Sequence, residues 1–268
     1  MAMDALKKNN VRISGNLDGS QTLVFGHGFG TDQTVWRFIT DAFAADYRIV
    51  TYDNVGAGGT NPNLYNHSRY ARLNTYADDL VALAEELNIS DSIFVGHSVS
   101  GMVGLLASKK NPGLFARHIF LNASPRYLND EDQHYVGGFS QQALNDLFAA
   151  MANNYYAWVT GFAPVVMGNP GKPQLTEEFM RTLSALRPDI ALAVAKAIFE
   201  SDHRGDLEGF DKESLIIQSS QDVAVPVGVG EYLNRHLPNS RLQIIESTGH
   251  FPHISAPADV IKNIRSFV

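Results

Sequence analysis

Short, continuously apolar runs alternate with amphipathic segments in this chain, and that alternation restricts the folds open to it. The runs at residues 22–28, 47–54, 92–98 and 116–124 are apolar almost throughout, rather than at every second position. Strands of this kind are covered on both faces, as in parallel sheets. Between the second and third runs, segment 70–87 carries apolar residues at helical spacing. Repeated units of this type predict an α/β fold with a mostly parallel sheet flanked by helices.

The alternation is interrupted once. Segment 125–202 has helical patterns and no convincing strand pattern, and two further strand patterns follow it, at 214–222 and 241–247. An all-helical segment inside an α/β pattern is typical of an insertion. We therefore predict an α/β core formed by residues 1–124 and 203–268, with residues 125–202 forming a helical lid.

The predicted lid is rich in large apolar side chains. Ser140 and Thr176 are candidate N-caps of two of its helices, and Pro188 suits the first position of another. Some of its aromatic residues must pack the lid helices together. A lid above a site also needs an apolar inner face, which predicts a deep pocket for a small, mostly hydrophobic ligand.

Composition excludes several classes of function. The 268 residues suit one large α/β domain, and the net charge of −7 argues against a nucleic-acid partner. The absence of cysteine excludes disulfides and cysteine nucleophiles. The nine histidines form no H-E-x-x-H pattern, and the start MAMDALKKNN lacks the apolar region of a secretory signal. The apolar runs are too short to cross a bilayer. We expect an intracellular protein with no metal, cofactor, membrane or nucleic-acid partner.

A serine stands where the third apolar run meets the following helical pattern. In IFVGHSVSGMVGLLA, Ser98 follows Gly96 and His97 and resembles the nucleophile of G-x-S-x-G, with Ser100 in place of the second glycine. That position needs a small residue so that the helix can pack close to the sheet. Ser100 is a modest enlargement, so Ser98 remains the candidate nucleophile.

Two later strand patterns end at residues that would activate this serine. Asp222 and His250 follow them in the chain order nucleophile, acid, base, which predicts a Ser–His–Asp triad. His253 competes with His250 for the role of base. Asp53 also ends a strand, but its place in the chain order favours a role in a turn.

A glycine-rich loop after the first run predicts an oxyanion hole. In this class of fold one donor comes from that loop and the other from the residue after the nucleophile, here the backbone N–H groups of Phe29 and Val99. The glycines at 56–59 do not form G-x-G-x-x-G, so a dinucleotide site is not predicted.

Together these residues resemble the α/β-hydrolase superfamily. More closely, the chain resembles the plant karrikin- and strigolactone-receptor family, which is related to the bacterial stress-response hydrolase RsbQ. The stretches that carry this resemblance span nearly the whole chain and include the lid: GHGFGTDQTVW, YDNVGAGGTNP, FVGHSVSGM, ASPRYLND, GGF, NYYAWVTGFAP, RTLSALRPDIAL, IFESD, QDVAVPV and GHFPHISAP. The family also has a serine at the position of Ser100.

The resemblance implies a slow serine hydrolase that serves as a receptor for butenolide ligands in the cytoplasm or nucleus, signalling through an F-box protein recruited by the lid. It places Ser98, Asp222 and His250 in the triad. Tyr127 and Phe162 match the karrikin-type branch, because the strigolactone-type branch tends to reverse these two residue types. The predicted ligand pocket is lined by Phe29, His97, Tyr127, Phe139, Leu147, Phe162, Ile198, Phe199 and Ala224.

The sequence departs from the family in two places. The segment DEDQHYVGGF, around His134 to Val136, is slightly longer than usual and would reshape the lid entrance. Phe251 replaces the usual leucine and would alter packing beside His250. One alternative to a receptor stays open, an ordinary carboxylesterase or lactonase with the same triad and no signalling partner. A binding module in which Ser98 does no chemistry is the third hypothesis.

Overall fold

One seven-stranded sheet forms the centre of the molecule. The computed structural model describes residues 4–18 and 21–268. The strands are β1 Arg12–Gly15, β2 Thr22–Gly26, β3 Arg48–Tyr52, β4 Ser92–His97, β5 Phe115–Leu121, β6 Glu213–Gln221 and β7 Ser240–Thr248. Their order across the sheet is β1-β3-β2-β4-β5-β6-β7, and β1 is the one antiparallel strand among them. The predicted α/β class with a mostly parallel sheet is confirmed.

The parallel strands carry the apolar runs from which they were predicted. All six residues of β4 are buried, as are Leu23, Val24 and Phe25 in β2. Strand β1 was not predicted, because its four residues are exposed and show no apolar pattern. This strand forms through backbone pairing with β3, at the edge of the sheet.

Eleven helices are described. They are α1 Ala5–Lys8, α2 Arg37–Thr40, α3 Leu73–Glu86, α4 Val99–Lys110, α5 Gln141–Asn153, α6 Tyr155–Met167, α7 Pro173–Ser184, α8 Pro188–Phe199, α9 Val227–His236, α10 Pro252–Ser255 and α11 Pro257–Arg265. Short 3₁₀ turns lie at Gln33–Trp36, Pro62–Leu64 and Arg204–Leu207.

Two of the three predicted helix starts are correct. Ser140 caps α5 by accepting a hydrogen bond from the N–H of Ala143, and Pro188 is the first residue of α8. The prediction that Thr176 caps a helix is wrong. Helix α7 already begins at Pro173, whose fixed φ angle suits a first helical position, so Thr176 lies inside the helix.

The order of the central strands creates a crevice where a site can form. The chain passes from β2 to β3 on one side and then returns past β2 to β4 on the other. Right-handed crossovers in opposite directions place α2 and α3 on opposite faces of the sheet. The loops after β2 and β4 therefore diverge at the carboxyl edge, which is the position where open α/β sheets bind ligands.

The segment that holds α5 to α8 contributes no strand to the described sheet. Helices α6, α7 and α8 line a cavity at the carboxyl edge, and α5 packs against α6 and α8. The division into a core and a lid with the boundaries given above stays a prediction. Of the first ten residues, on which the expected absence of a secretory signal rests, residues 1–3 lie outside the described part. Among residues 4–18 and 21–268, no helix combines the length and apolar character needed to cross a bilayer.

Candidate active site

Ser98 occupies a sharp turn between β4 and α4. Its backbone has φ +55° and ψ −126°, an unusual conformation for a residue with a side chain. The turn brings backbone segments very close together, since a Cβ on Gly96 would lie 2.6 Å from the backbone nitrogen of Gly101. Gly96 is therefore required by space. The result is a strained serine held at the carboxyl edge of the sheet.

A continuous hydrogen-bond chain joins Ser98 to a carboxylate. The Nε2 atom of His250 lies 2.8 Å from Ser98 Oγ, and its Nδ1 atom lies 2.7 Å from Asp222 Oδ2. The other oxygen of Asp222 accepts hydrogen bonds from the N–H groups of Ala224 and Val225. The carboxylate accepts the Nδ1 proton, so Nε2 is the nitrogen that can take the serine proton. The three residues predicted as a triad are thus adjacent and buried.

The other candidates for the acid and the base of the triad, Asp53 and His253, lie away from Ser98. Asp53 accepts hydrogen bonds from the N–H groups of Gln33 and Gly59 and therefore holds loops together, as its position in the chain order suggested. His253 is fully buried and its ring stacks on Trp36 at 4.6 Å between centroids. Burial is the main cause that lowers its pKa to about 3. The structure brings His250, and not His253, to Ser98.

The two predicted oxyanion donors flank Ser98. Val99 is the first residue of α4, so its N–H has no partner carbonyl in the preceding turn. Phe29 lies in the loop after β2, and its backbone N–H donates no hydrogen bond within the described chain. Both amides lie at the point where the loops after β2 and β4 diverge. Their use as an oxyanion hole stays a prediction.

A small, largely aromatic cavity surrounds Ser98 and His250, and we call it the front cavity. The volume of the front cavity that the centre of a water-sized sphere can occupy is about 20 Å³. Predicted pocket residues that line it are Phe29, Tyr127, Phe162, Ile198, Phe199 and Ala224. Three further residues line it that were not predicted for the pocket, namely Val166, Phe179 and Phe251. Among residues 4–18 and 21–268, no group of three or more acidic or histidine side chains is arranged to hold a metal ion.

Comparison with known proteins places this geometry in a family. A family model described as "Alpha/beta hydrolase family" matches residues 23–263. The chain belongs to the alpha/beta hydrolase family. A protein of Oryza sativa subsp. japonica, named as a probable esterase, is 48% identical to this hydrolase, over 94% of the chain and 93% of the relative. Karrikin insensitive 2 receptor CA of Petunia hybrida is 47% identical, over 94% of this chain and 93% of the relative. These matches confirm the predicted resemblance to the karrikin- and strigolactone-receptor family.

Two further comparisons extend this assignment. A strigolactone esterase of Arabidopsis thaliana is 43% identical to the hydrolase, over 97% of the chain and 96% of the relative. Among solved structures, a hydrolase from Oleispira antarctica superimposes with a TM-score of 0.94 at 32% identity, covering 98% of this chain and 96% of the other. The fold therefore occurs almost unchanged in a bacterial hydrolase.

Three of the residues predicted to line the ligand pocket do not line the front cavity of the hydrolase. His97 is fully buried beneath the site, where its Nε2–H donates to the backbone oxygen of His250. Phe139 packs against Phe199, with 5.3 Å between ring centroids, from outside the cavity wall. Leu147 is half-buried on α5 and packs against the hydrophobic core. His97 and Phe139 contact residues of the cavity wall from behind, and Leu147 packs into the core, so the prediction that these three residues line the pocket is not met by the front cavity.

Tyr127 makes a direct contact with Ser98, the predicted nucleophile. Its hydroxyl lies 3.0 Å from Ser98 Oγ. Because the serine proton is directed to His250, the tyrosine is the donor in this pair. Burial is the largest cause of the raised pKa of Tyr127, so the hydroxyl keeps its proton. Ser98 Oγ therefore accepts one hydrogen bond while donating another.

The lid and the His250 loop share backbone hydrogen bonds. The N–H of His250 donates to the carbonyl oxygen of Val166 at the end of α6. Asn169 then donates from Nδ2 to Met167 O and to Thr248 O, at 2.7 and 2.8 Å. A Cβ on Gly249 would lie 1.9 Å from Met167 O, so no larger residue fits between the two segments. The predicted base of the hydrolase is thus attached to a lid helix.

The two departures from the family pattern have structural consequences. Phe251 lines the front cavity, with its ring centroid 5.4 Å from that of His250 and 4.5 Å from that of Phe179. The segment around His134 forms a tight turn in which Asp130 and Tyr135 exchange backbone hydrogen bonds. Arg204 fixes this turn by donating to Asp130 at 2.8 Å.

Proposed function

We propose that this protein is a serine hydrolase that binds a small butenolide-type ligand, cleaves its ester or lactone bond slowly, and acts as a receptor for it. The observation that carries the proposal is the buried chain from Asp222 through His250 to Ser98 inside an aromatic cavity. The names of the relatives, karrikin insensitive 2 receptor and strigolactone esterase, supply the ligand class.

The geometry suits acyl transfer. Ser98 Oγ attacks the carbonyl carbon while its proton passes to His250 Nε2, and Asp222 stabilises the resulting imidazolium. The backbone N–H groups of Phe29 and Val99 stabilise the oxyanion of the tetrahedral intermediate. Collapse of the intermediate breaks the C–O bond, and His250 returns the proton to the leaving oxygen. Water, activated by the same histidine, then hydrolyses the acyl-serine.

Two features support a slow enzyme of the karrikin-receptor type. The hydrogen bond from Tyr127 stabilises the resting serine, which opposes attack on the ligand. Phe162, the second branch-specific residue, lies on the same cavity wall. We further propose that an F-box protein binds the lid once the ligand has reacted, and that this happens in the cytoplasm or nucleus.

The test uses a fluorogenic butenolide ester and a serine-reactive fluorophosphonate probe. We expect wild type to release the fluorophore slowly and to be labelled at Ser98, and the Ser98→Ala variant to do neither. The Ser255→Ala variant, which changes a serine on α10 that contacts Phe251 O, is the matched control and should react like wild type. Equal labelling of wild type and Ser98→Ala would reject the triad.

An ordinary esterase without a signalling partner is the second candidate. The likeness to a bacterial hydrolase over nearly the whole chain favours it. Capture of an F-box protein in the presence of a butenolide, compared between wild type and Ser98→Ala, separates the two functions. Ester turnover without any ligand-dependent capture would establish the esterase.

A further inference from the structure

A second cavity, which we call the rear cavity, lies beside the front cavity. Phe29 and Ile198 line both cavities and form the wall between them. The rear cavity is bounded by α3, α4, α8 and the loops after β2 and β3. The volume of the rear cavity that the centre of a water-sized sphere can occupy is about 40 Å³, and the corresponding volume of the front cavity is about 20 Å³.

The walls of the rear cavity favour a hydrocarbon group. Val103, Leu186 and Val194 line it together with the shared Ile198. The polar side chains on its loops already have partners, since His27 Nδ1–H donates to Gly28 O at 2.8 Å, its Nε2 accepts from the N–H of Asn54 at 3.0 Å, and Asn54 Nδ2 donates to His27 O. Tyr76 of α3 also lines the cavity, and its buried hydroxyl has no hydrogen-bond partner in the described chain. An apolar group that enters would therefore displace no hydrogen bond of this histidine.

The position of the rear cavity relates it to the reaction. Phe29 and Val99, whose amides are the proposed oxyanion donors, both line it. A carbonyl oxygen held by these amides therefore lies where the two cavities meet. The carbonyl carbon carries two substituents, and the front cavity, with about 20 Å³ for the centre of a water-sized sphere, is the smaller of the two cavities that meet there. A ligand whose carbonyl is held at this point can extend one substituent into each cavity.

We propose that the rear cavity is a second ligand subsite, which takes a short hydrocarbon substituent of the ester or lactone when Phe29 and Ile198 turn aside. This inference rests on the proposed function, because it assigns a place to one part of its ligand. The rear cavity offers about 40 Å³ to the centre of a water-sized sphere, which limits the substituent to a short alkyl chain.

Binding to an unreactive variant tests the subsite without depending on turnover. Butenolides that carry a methyl, propyl or hexyl substituent would be titrated calorimetrically into Ser98→Ala. Each methylene that enters an apolar site should tighten binding about four-fold. We expect propyl to bind on the order of ten-fold more tightly than methyl, and hexyl to gain nothing further.

A filling variant and a matched control identify the cavity responsible. Val194→Phe, made in the Ser98→Ala background, should remove the preference for propyl. Val136→Phe is the same substitution at a residue that is 62% exposed and lines neither cavity, so it should keep the preference. Leu186→Ala should enlarge the rear cavity, so that the substituent that binds most tightly becomes longer, towards hexyl. This variant tests the subsite even if Val194→Phe does not fold.

The results that would overturn the subsite differ from the results that would overturn the proposed function. Equal affinities for the three butenolides, or a preference for propyl that survives both Val194→Phe and Leu186→Ala, would overturn the subsite even where wild type cleaves the esters. Conversely, a preference for propyl that Val194→Phe removes, in a protein whose wild type cleaves nothing, would support the subsite and reject the hydrolase. Failure of all three ligands to bind would overturn the subsite.

Discussion

Ser98 holds two hydrogen bonds that act in opposite directions on its reactivity. Donation to His250 prepares the loss of the serine proton, while the hydrogen bond accepted from Tyr127 stabilises the oxygen at rest. The second bond weakens when the oxygen becomes an ester oxygen, so it favours the ground state over the transition state. Interactions of that kind slow the chemical step.

Replacement of Tyr127 by phenylalanine should therefore accelerate acylation. A hydrogen bond with a net worth of about 1 kcal/mol corresponds to a rate increase of roughly five-fold. The measurement is kcat/KM for a fluorogenic ester in wild type and Tyr127→Phe. Tyr155→Phe is the control, because it removes a lid hydroxyl that donates to Leu183 O instead of to the nucleophile. A slower Tyr127→Phe enzyme would show that the tyrosine assists the reaction.

For individual residues, their order along the chain was the signal that predicted which side chains lie together at the site. Ser98, Asp222 and His250 follow three different strands, and parallel strands bring their carboxyl ends to one edge, so their proximity could be predicted. The contact between Tyr127 and Ser98 could not, because it depends on the path of an irregular loop. His97 was predicted to line the pocket, although its ring lies beneath the site, next to that of His253.

At the element scale, α6 and the loop after β7 form one unit. The carbonyl of Val166 accepts a hydrogen bond from the N–H of His250, and Asn169 bridges both segments by donating to Met167 O and Thr248 O. Free carbonyls at a helix end need such partners. We therefore expect a shift of α6 to change the position of His250 relative to Ser98.

Asn169→Ala should impair catalysis as well as stability. The loss of its two hydrogen bonds is expected to cost about 1–2 kcal/mol in the free energy of unfolding and to lower kcat about ten-fold, with KM little changed. Asn154→Ala is the matched control, since Asn154 caps the other end of α6 by accepting from the N–H of Ala157. That variant should lose about 1 kcal/mol of stability and keep kcat. Similar kcat values in the two variants would refute the coupling.

Strands and helices with a strong apolar pattern could be predicted from the sequence. Elements that form through contacts with neighbouring elements could not. The buried strands matched their apolar runs to within a few residues, whereas the exposed β1 left no pattern to detect. Phe162 of α6 was correctly predicted to line the cavity, but the other residues of α6 and α7 that reach it were not. Val166 and Phe179 were therefore missed, since this depends on how the helices cross.

At the scale of the whole molecule, three fully buried histidines tie stability to pH. Burial is the main cause that lowers the pKa of His118 and of His253 from 6.5 to about 3, and it also lowers the pKa of His97 well below 6.5. In the unfolded chain all three regain ordinary values. Between about pH 6.5 and pH 3 the unfolded state therefore binds more protons than the folded state, so the free energy of unfolding falls as the pH falls through this range.

His118 and His253 should each cost about 2 kcal/mol of stability between pH 7 and pH 5, and His97 adds to the decrease. Urea unfolding at pH 7, 6 and 5 measures the decrease. His118→Phe places an aromatic ring among Phe94, Phe115 and Phe210, which surround that site, and removes one titrating group. The decrease should be smaller by about 2 kcal/mol in the variant. His67→Gln changes a histidine whose side chain is 56% exposed and should keep the wild-type dependence. An unaltered pH dependence in His118→Phe would show that burial of this histidine is not what makes the fold sensitive to acid.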